Sequence, residues 1–229
     1  MKMRRNNRVK YYCLLLIFSF SILYAAEPAK KKDDVKKVVI FKADLATYRE
    51  VRGGNMFLGQ GNSYLEIDDN KIYCTDIEIY FYKDEKNEDK IDRAKFIKNV
   101  RIFNEKDEVQ IGGEAADYYR DEKKFVIREN AFYTDAKEEV AVFGDTIYNY
   151  EDESITIIQG NTRIYQKDIL ATGAFVKYTK KDKLMSISGF PKVRNQGSEY
   201  SARKIIVDVE NNTFILQGDL DAEIINSDK

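Results

Sequence analysis

The residues that could do chemistry in this chain include its carboxylates, its hydroxyls and two cysteines, but no histidine. Histidine is the most frequent general base and the commonest metal ligand in proteins. Cys13 falls in an apolar N-terminal segment, which leaves Cys74 alone. Neither a disulfide framework nor a cysteine-based zinc site is therefore predicted, and Cys74 is interpreted as a small apolar residue on a strand.

The acidic and glycine-rich motifs also fail the tests for specific chemistry. Asp68-Asp69-Asn70 lacks the glycine and the terminal glutamate of a calcium loop, so it predicts a polar turn. Gly112-Gly113 is followed by no helix and no Lys-Ser/Thr pair, which favours a bend or bulge over a phosphate loop. Asp117 and Asp121 could in principle serve a glycosidase, but nothing singles out two carboxylates among 39. The sequence predicts no enzyme, no metal and no cofactor.

The N-terminal residues have the pattern of an export signal. Five basic residues precede the apolar run Cys13–Tyr24, and Ala25-Ala26 provide small residues for cleavage. We predict a signal peptide over residues 1–26 and a charged tether over 27–37. An uncleaved inner-membrane anchor is the alternative, although the apolar run is shorter than the roughly 20 residues of a spanning helix.

Export changes the charge balance of the chain. Without the five basic residues of 1–26, 33 basic side chains remain against 39 acidic ones, a net charge of −6. This acidic balance argues against nucleic acid as a partner. A protein exported in this way is predicted to work in the periplasm.

From Val38 onward, apolar and polar residues alternate with a period of two. Ile77-Glu78-Ile79 and Val100-Arg101-Ile102 show the pattern, which places one face of a strand on a core and the other in water. Short polar segments, such as Asn104–Asp107 and Glu151–Glu153, separate the predicted strands. After the signal, apolar residues do not recur with the spacing of an amphipathic helix. Regular short strands with such turns predict an all-β domain over 38–225, with a C-terminal tail over 226–229.

A repeated sequence motif organises this domain. Ile157–Ile164 contains two extended runs joined by Gly160-Asn161, both of which tolerate positive φ and are predicted to form a tight turn. The first turn residue of each copy marks the repeat, at Gly61, Lys98, Glu129, Gly160, Gly189 and Gly218. The intervals of 37, 31, 31, 29 and 29 residues indicate a repeat architecture in which one unit cannot bury its apolar face alone. The longest interval is attributed to a protruding loop over Lys83–Asp89.

A second sequence motif follows the turn and completes the repeat unit. It is clearest as Ile169–Tyr178, with weaker forms at Val109–Tyr118 and Phe41–Tyr48. Behind an export signal, this order resembles the organic-solvent-tolerance (OstA-like) N-terminal domain family. That family includes the periplasmic lipopolysaccharide-transport protein LptA and its membrane-anchored relative LptC.

The resemblance implies an open, twisted β-jellyroll of stacked short antiparallel strands with an apolar groove for acyl chains. The residues predicted to face that groove are Ile79, Phe81, Val100, Ile102, Ile111, Phe125, Ile127, Val142, Ile157, Ile164, Phe175, Met185, Ile187, Val207, Phe214 and Leu216. The edge strands are predicted to join neighbouring jellyroll domains through Val39, Phe41, Phe214, Ile215 and Leu216.

The function that the resemblance implies is transport of a lipopolysaccharide-type glycolipid to the outer membrane, as a bridge or a chaperone. The expected partners are the glycolipid, the jellyroll domains of inner- and outer-membrane transport components, and further copies of the chain joined head to tail. Two alternatives stay open: an inner-membrane-anchored, LptC-like subunit of the same pathway, and a structural β-solenoid or surface protein without lipid cargo.

Overall fold

The computed structural model describes residues 40–83, 85 and 89–224. The predicted signal peptide, tether and C-terminal tail, Val39 and most of the predicted loop over 83–89 lie outside these residues. The described part contains sixteen β-strands: β1 (Ile40–Lys42), β2 (Leu45–Val51), β3 (Gly54–Ile67), β4 (Asn70–Lys83), β5 (Asp89–Asn104), β6 (Val109–Tyr119), β7 (Lys124–Asp135), β8 (Val140–Tyr150), β9 (Ile155–Gln166), β10 (Ile169–Thr179), β11 (Leu184–Ser188), β12 (Lys192–Asn195), β13 (Ser198–Ser201), β14 (Lys204–Asp208), β15 (Thr213–Gln217) and β16 (Asp221–Glu223).

All sixteen strands belong to one antiparallel sheet in which neighbours in sequence are mostly neighbours in space. Strands β3 to β10 each run through a bend, so the sheet is folded into two layers. Layer A consists of β1, β12, β13, β16 and the halves of β3 to β10 paired in the same register, such as Val100–Asn104 against Val109–Gly113. Layer B consists of β2, β11, β14, β15 and the other halves. The all-β, open jellyroll prediction is confirmed.

The repeated marker residues form the bend between the layers. Both residues of each pair have positive φ, from Gly61 (φ 72) and Asn62 (φ 42) to Gly218 (φ 73) and Asp219 (φ 30). Even the copies without glycine, Lys98-Asn99 and Glu129-Asn130, adopt this conformation. The marker was interpreted as a tight turn between strands, but β3, β5, β7 and β9 continue through it. It is a corner: two residues on one strand oppose one residue on the next, as in a β-bulge that bends the strand.

The short polar segments form the hairpin turns that connect successive strands, away from the corners. Turns lie at 105–108, 136–139 and 167–168 in layer A, and at 120–123, 151–154, 180–183 and 209–212 in layer B. The turns at 105–108 and 151–154 agree with the turns predicted from sequence, whereas those at 120–123, 136–139 and 167–168 were not predicted. We call the two stacks of turns rim A and rim B.

The apolar core lies between the layers. Its residues come from the inward faces of both, and Tyr133 of layer A contacts Tyr178 of layer B with ring centroids 5.9 Å apart. Cys74 is buried in β4, as predicted, and burial raises the pKa of its thiol to about 12. A thiol with this pKa stays protonated at neutral pH and is a poor nucleophile.

Candidate functional site

Most residues predicted to line the groove face the interior between the layers. These are Ile79, Phe81, Val100, Ile102, Ile111, Phe125, Ile127, Val142, Ile164, Met185, Ile187, Val207, Phe214 and Leu216. They supply a lining that extends across the layers from β4 to β15. Whether this lining contacts lipid stays a prediction.

The prediction that Ile157 and Phe175 face inward is wrong. Thr156, Ile158 and Val176 are buried in their place, with at most 1% of each residue exposed. A two-residue corner keeps the inward parity of a strand, so Ile158 shares its face with Ile164 beyond the corner. On β10 the single residue Ala174 lies opposite the two-residue corner of β9. The alternation of inward and outward side chains along β10 therefore shifts by one residue at Ala174.

The interior is closed to solvent along its length in this structure. Ile127, Val142, Ile164 and Ile187 are each 0% exposed. Sequence reasoning did not select several of the largest inward residues, including Tyr118, Tyr133, Tyr178, Leu65 and Ile72. Tyr118 and Tyr178 could have been found from their shared place at the end of the second motif of the unit, which does not contain Tyr133.

The closure results from contacts between rim A and rim B, and we call this line of contacts the seam. The Asn70 side chain donates a hydrogen bond of 2.7 Å to Glu151, and the Gln166 side chain donates one of 2.6 Å to the Val209 carbonyl. Two ion pairs complete the seam: the N–O distance is 3.4 Å between Lys180 and Asp107 and 3.1 Å between Lys183 and Glu138.

The contacts across the seam are weaker in kind than the contacts along each rim. Along rim B, the backbone N–H groups of Glu151, Lys180 and Val209 each donate to a carbonyl of the preceding turn. Across the seam, the hydrogen bonds and ion pairs between described residues use side chains, and both ion pairs are partly exposed, so solvent screens them. The seam is therefore the line along which the layers separate most readily.

A small cavity lies under the seam. Its volume is about 90 Å³ and its lining includes Asn70, Ile102, Ile111 and Glu151. Burial raises the pKa of the Glu151 carboxyl, because the Asn70 hydrogen bond only partly replaces its lost hydration. The cavity is far below the roughly 300–1,000 Å³ of a small-molecule pocket.

The two ends of the interior are less covered than its middle. At the N-terminal end Phe41, Phe57 and Phe81 pack on the core and stay partly exposed, and Phe41 and Phe57 lie 5.0 Å apart by ring centroids. At the C-terminal end Tyr200, Ala202, Phe214 and Leu216 do the same. These partly exposed residues make each end an apolar opening.

The strands at both ends have one unpaired edge among the described residues. Strands β1 and β2 pair only with β3, β15 pairs only with β14, and β16 pairs only with β13. Of the residues predicted to join neighbouring copies, Ile215 is 56% exposed, while Phe41, Phe214 and Leu216 point toward the core. Unpaired N–H and C=O groups are a template for another strand.

No group of three or more metal-ligating side chains lies together in the part of the chain that the structure describes. In the same part, no helix has the length and apolar character needed to cross a membrane.

No protein-family model matches the chain, and no curated protein matches it. Among solved structures, the chain is similar to LptH from Pseudomonas aeruginosa, the LptA-homologous periplasmic component of the conserved lipopolysaccharide transport device. The two are 15% identical, with a TM-score of 0.48, over 52% of this chain and 95% of LptH.

Proposed function

We propose that this protein holds the acyl chains of a lipopolysaccharide-type glycolipid between layers A and B and passes them across the periplasm toward the outer membrane. The observation that supports the proposal best is the apolar interior, which is continuous from Phe41 at one end to Leu216 at the other. The resemblance of the repeat to the OstA-like family supplies the identity of the cargo.

The physical need for such an interior is large. Each exposed methylene costs about 0.8 kcal/mol, so a chain of a dozen methylenes costs on the order of 10 kcal/mol in water. That penalty matches the whole stability of a typical domain. A carrier must therefore replace water along the full length of the chain.

Loading requires the seam to open, because the cavity of about 90 Å³ beneath it is too small for an acyl chain. Opening breaks the Asn70–Glu151 and Gln166–Val209 hydrogen bonds and the two ion pairs, while the backbone bonds along each rim remain. The apolar faces that separate are covered again by the cargo. The net cost of opening is then small when lipid is present and large when it is absent.

Transfer between molecules would use the two ends. Strand addition at β1–β2 of one copy and β15–β16 of the next would align the two apolar openings and make one interior of two. The same edges would accept the jellyroll domains of inner- and outer-membrane components. A bridge of this kind and a chaperone that shuttles differ only in how long the edges stay paired.

Photo-crosslinking in cells tests the proposal. A photoreactive residue at Ile127 or Ile187, both buried between the layers, is expected to capture glycolipid. The same residue at Ile157, which lies on the outer face of the same domain, is the matched control and is expected to capture none. Equal capture at all three positions, or capture at none, would contradict an interior cargo site.

A crosslink across the seam tests the route of entry. Cysteines in place of Asp107 and Lys180, joined by a short thiol-reactive linker, are expected to block lipid loading, with recovery after cleavage of the linker. Cys74 does not interfere, since it is buried with a raised pKa. A matched pair on rim B alone, at Lys123 and Asp152, whose side chains form an ion pair of 2.8 Å, is expected to load normally. Full loading of the locked protein would show that lipid enters only through the ends.

A further inference from the structure

One corner of the jellyroll departs from the rule that the others follow. Each corner places the second left-handed residue beside a residue of the preceding strand. Polar side chains occupy both positions in five corners, which are Asp44/Asn62, Thr75/Asn99, Glu114/Asn130, Asp145/Asn161 and Arg203/Asp219. The remaining corner has Ala174 and Phe190. Both polar groups are absent there at once.

Three of these polar pairs are joined by a hydrogen bond across the corner, and Asn161 donates to Asp145 at 3.1 Å in one of them. Asn62 donates to Asp44 at 2.8 Å, and Arg203 donates to Asp219 at 2.7 Å. Phe190 makes no such bridge: it is 99% exposed at φ 56, a backbone region that bulky residues rarely adopt. The protein therefore holds an aromatic ring in water at a position where asparagine would be less strained and better solvated.

The surroundings of Arg163 are the second unusual feature of this region. This residue lies on the outer face of layer A, paired in register with Thr172 and Phe143. Among the described residues, the ion pairs include one for the neighbouring corner arginine, Arg203, but none for Arg163. Its guanidinium is thus available to an anion.

Arg163 and Phe190 line the same surface depression. Its volume is about 350 Å³, and Asn161, Thr172 and Ala174 complete its wall. The exposed rings of Phe143 and Tyr165 adjoin it, with centroids 5.9 Å apart and 42% and 46% exposure. The depression therefore combines a guanidinium without an ion pair, a hydroxyl group and aromatic rings, while the Asn161 side chain donates to the Asp145 carboxylate at 3.1 Å and keeps its amide oxygen as an acceptor.

We propose that this depression binds a phosphorylated sugar. A guanidinium matches phosphate through paired hydrogen bonds. The Asn161 amide oxygen and the Thr172 hydroxyl match sugar hydroxyls, and an exposed ring such as Phe190 stacks on the apolar face of a sugar. Layer A separates this site from the acyl-chain interior. The proposal consequently stands whether or not the interior carries lipid.

Calorimetric titration of the purified protein tests the site with glucosamine 6-phosphate, glucosamine and inorganic phosphate. We expect the phosphorylated sugar to bind most tightly. Arg163→Gln should weaken it by at least about 10-fold, since a charge-assisted hydrogen bond is lost. Arg203→Gln, a corner arginine already paired with Asp219, is the matched control and should leave the affinity unchanged.

Phe190→Asn separates a binding role from a folding role. It restores the residue used at four other corners, so the variant should melt at the same or a higher temperature and yet bind the phosphorylated sugar several-fold more weakly. Binding of inorganic phosphate as tight as that of the sugar phosphate would overturn the proposal. So would binding that survives Arg163→Gln.

Two further titrations identify the source of the ligand. A lipid-linked glucosamine phosphate whose binding depends on Arg163 as strongly as that of the soluble sugar supports a headgroup site. If Arg163→Gln does not change the affinity for that lipid, the lipid binds in the interior and the proposal is overturned. An acidic peptide, polyglutamate, that binds more tightly than the sugar phosphate with the same dependence on Arg163 would assign the surface to a protein partner instead.

Discussion

The corners make a quantitative prediction, because equivalent positions carry different residues. Gly160 has φ 78, and a methyl group there would lie 2.1 Å from the Asp145 carboxylate. Gly160→Ala is expected to cost about 2–3 kcal/mol, of which about 1–2 is the left-handed backbone and the rest the disturbed Asn161–Asp145 hydrogen bond. For a domain of this size the melting temperature should fall by about 5–10 °C.

A different effect on stability is expected when glycine is introduced, and not removed, at the equivalent position of another repeat. Glu129 has φ 62, so Glu129→Gly relieves backbone strain and adds flexibility to the unfolded chain. The two effects nearly offset each other, and the free energy of unfolding should change by between zero and about +1 kcal/mol. The sign of the effect should thus differ between two positions that occupy the same place in the repeat.

Urea denaturation followed by circular dichroism measures both variants. Gly53→Ala is the control, because Gly53 has φ 91 but a methyl group there meets no atom within 4 Å, so this variant reports the backbone term alone. Gly160→Ala with wild-type stability would refute the corner as a strained structural element. A large loss in Glu129→Gly would show that the glutamate side chain, and not its backbone, determines stability at that corner.

Three other outcomes are expected. Since burial raises the pKa of Glu151, its contribution to stability declines as the pH rises from near 4.5, so Glu151→Gln should raise the melting temperature at pH 7 and have little effect at pH 4, as calorimetry would show. Ile127→Ala should cost about 2–5 kcal/mol in urea denaturation, and the partly exposed Ile157→Ala should cost much less. Ile215→Lys, which places a charge on an exposed edge strand, should reduce self-association in light scattering relative to the wild type.

Much of the architecture was predictable because it follows from local rules. Two left-handed residues recur near every 30 positions, and glycine or asparagine at most of them made the repeat visible. The period of two in the strands placed Ile127 and Ile187 correctly. Lys98 and Glu129 were recognised as copies only through spacing, since neither residue type favours positive φ.

The two wrong inward assignments have one cause. Which side chains of a strand face inward beyond a corner depends on how many residues the neighbouring strand places opposite that corner. A two-residue corner keeps the inward phase of a strand, and a one-residue bulge on its neighbour reverses it. Sequence alone does not show which strand of a pair has the extra residue. Ile157 and Phe175 were therefore assigned to the wrong face.

The sequence by itself determined an acidic, all-β repeat without histidine, because composition and periodicity are properties of the chain alone. Only the tertiary structure decided that the apolar interior is closed by a seam, since Asn70 and Glu151 meet across 81 residues of sequence. It also decided that Phe190 and Arg163 share a surface. Contacts between distant strands depend on where the corners fold the sheet, and that folding joins residues whose spacing in the chain carries no signal.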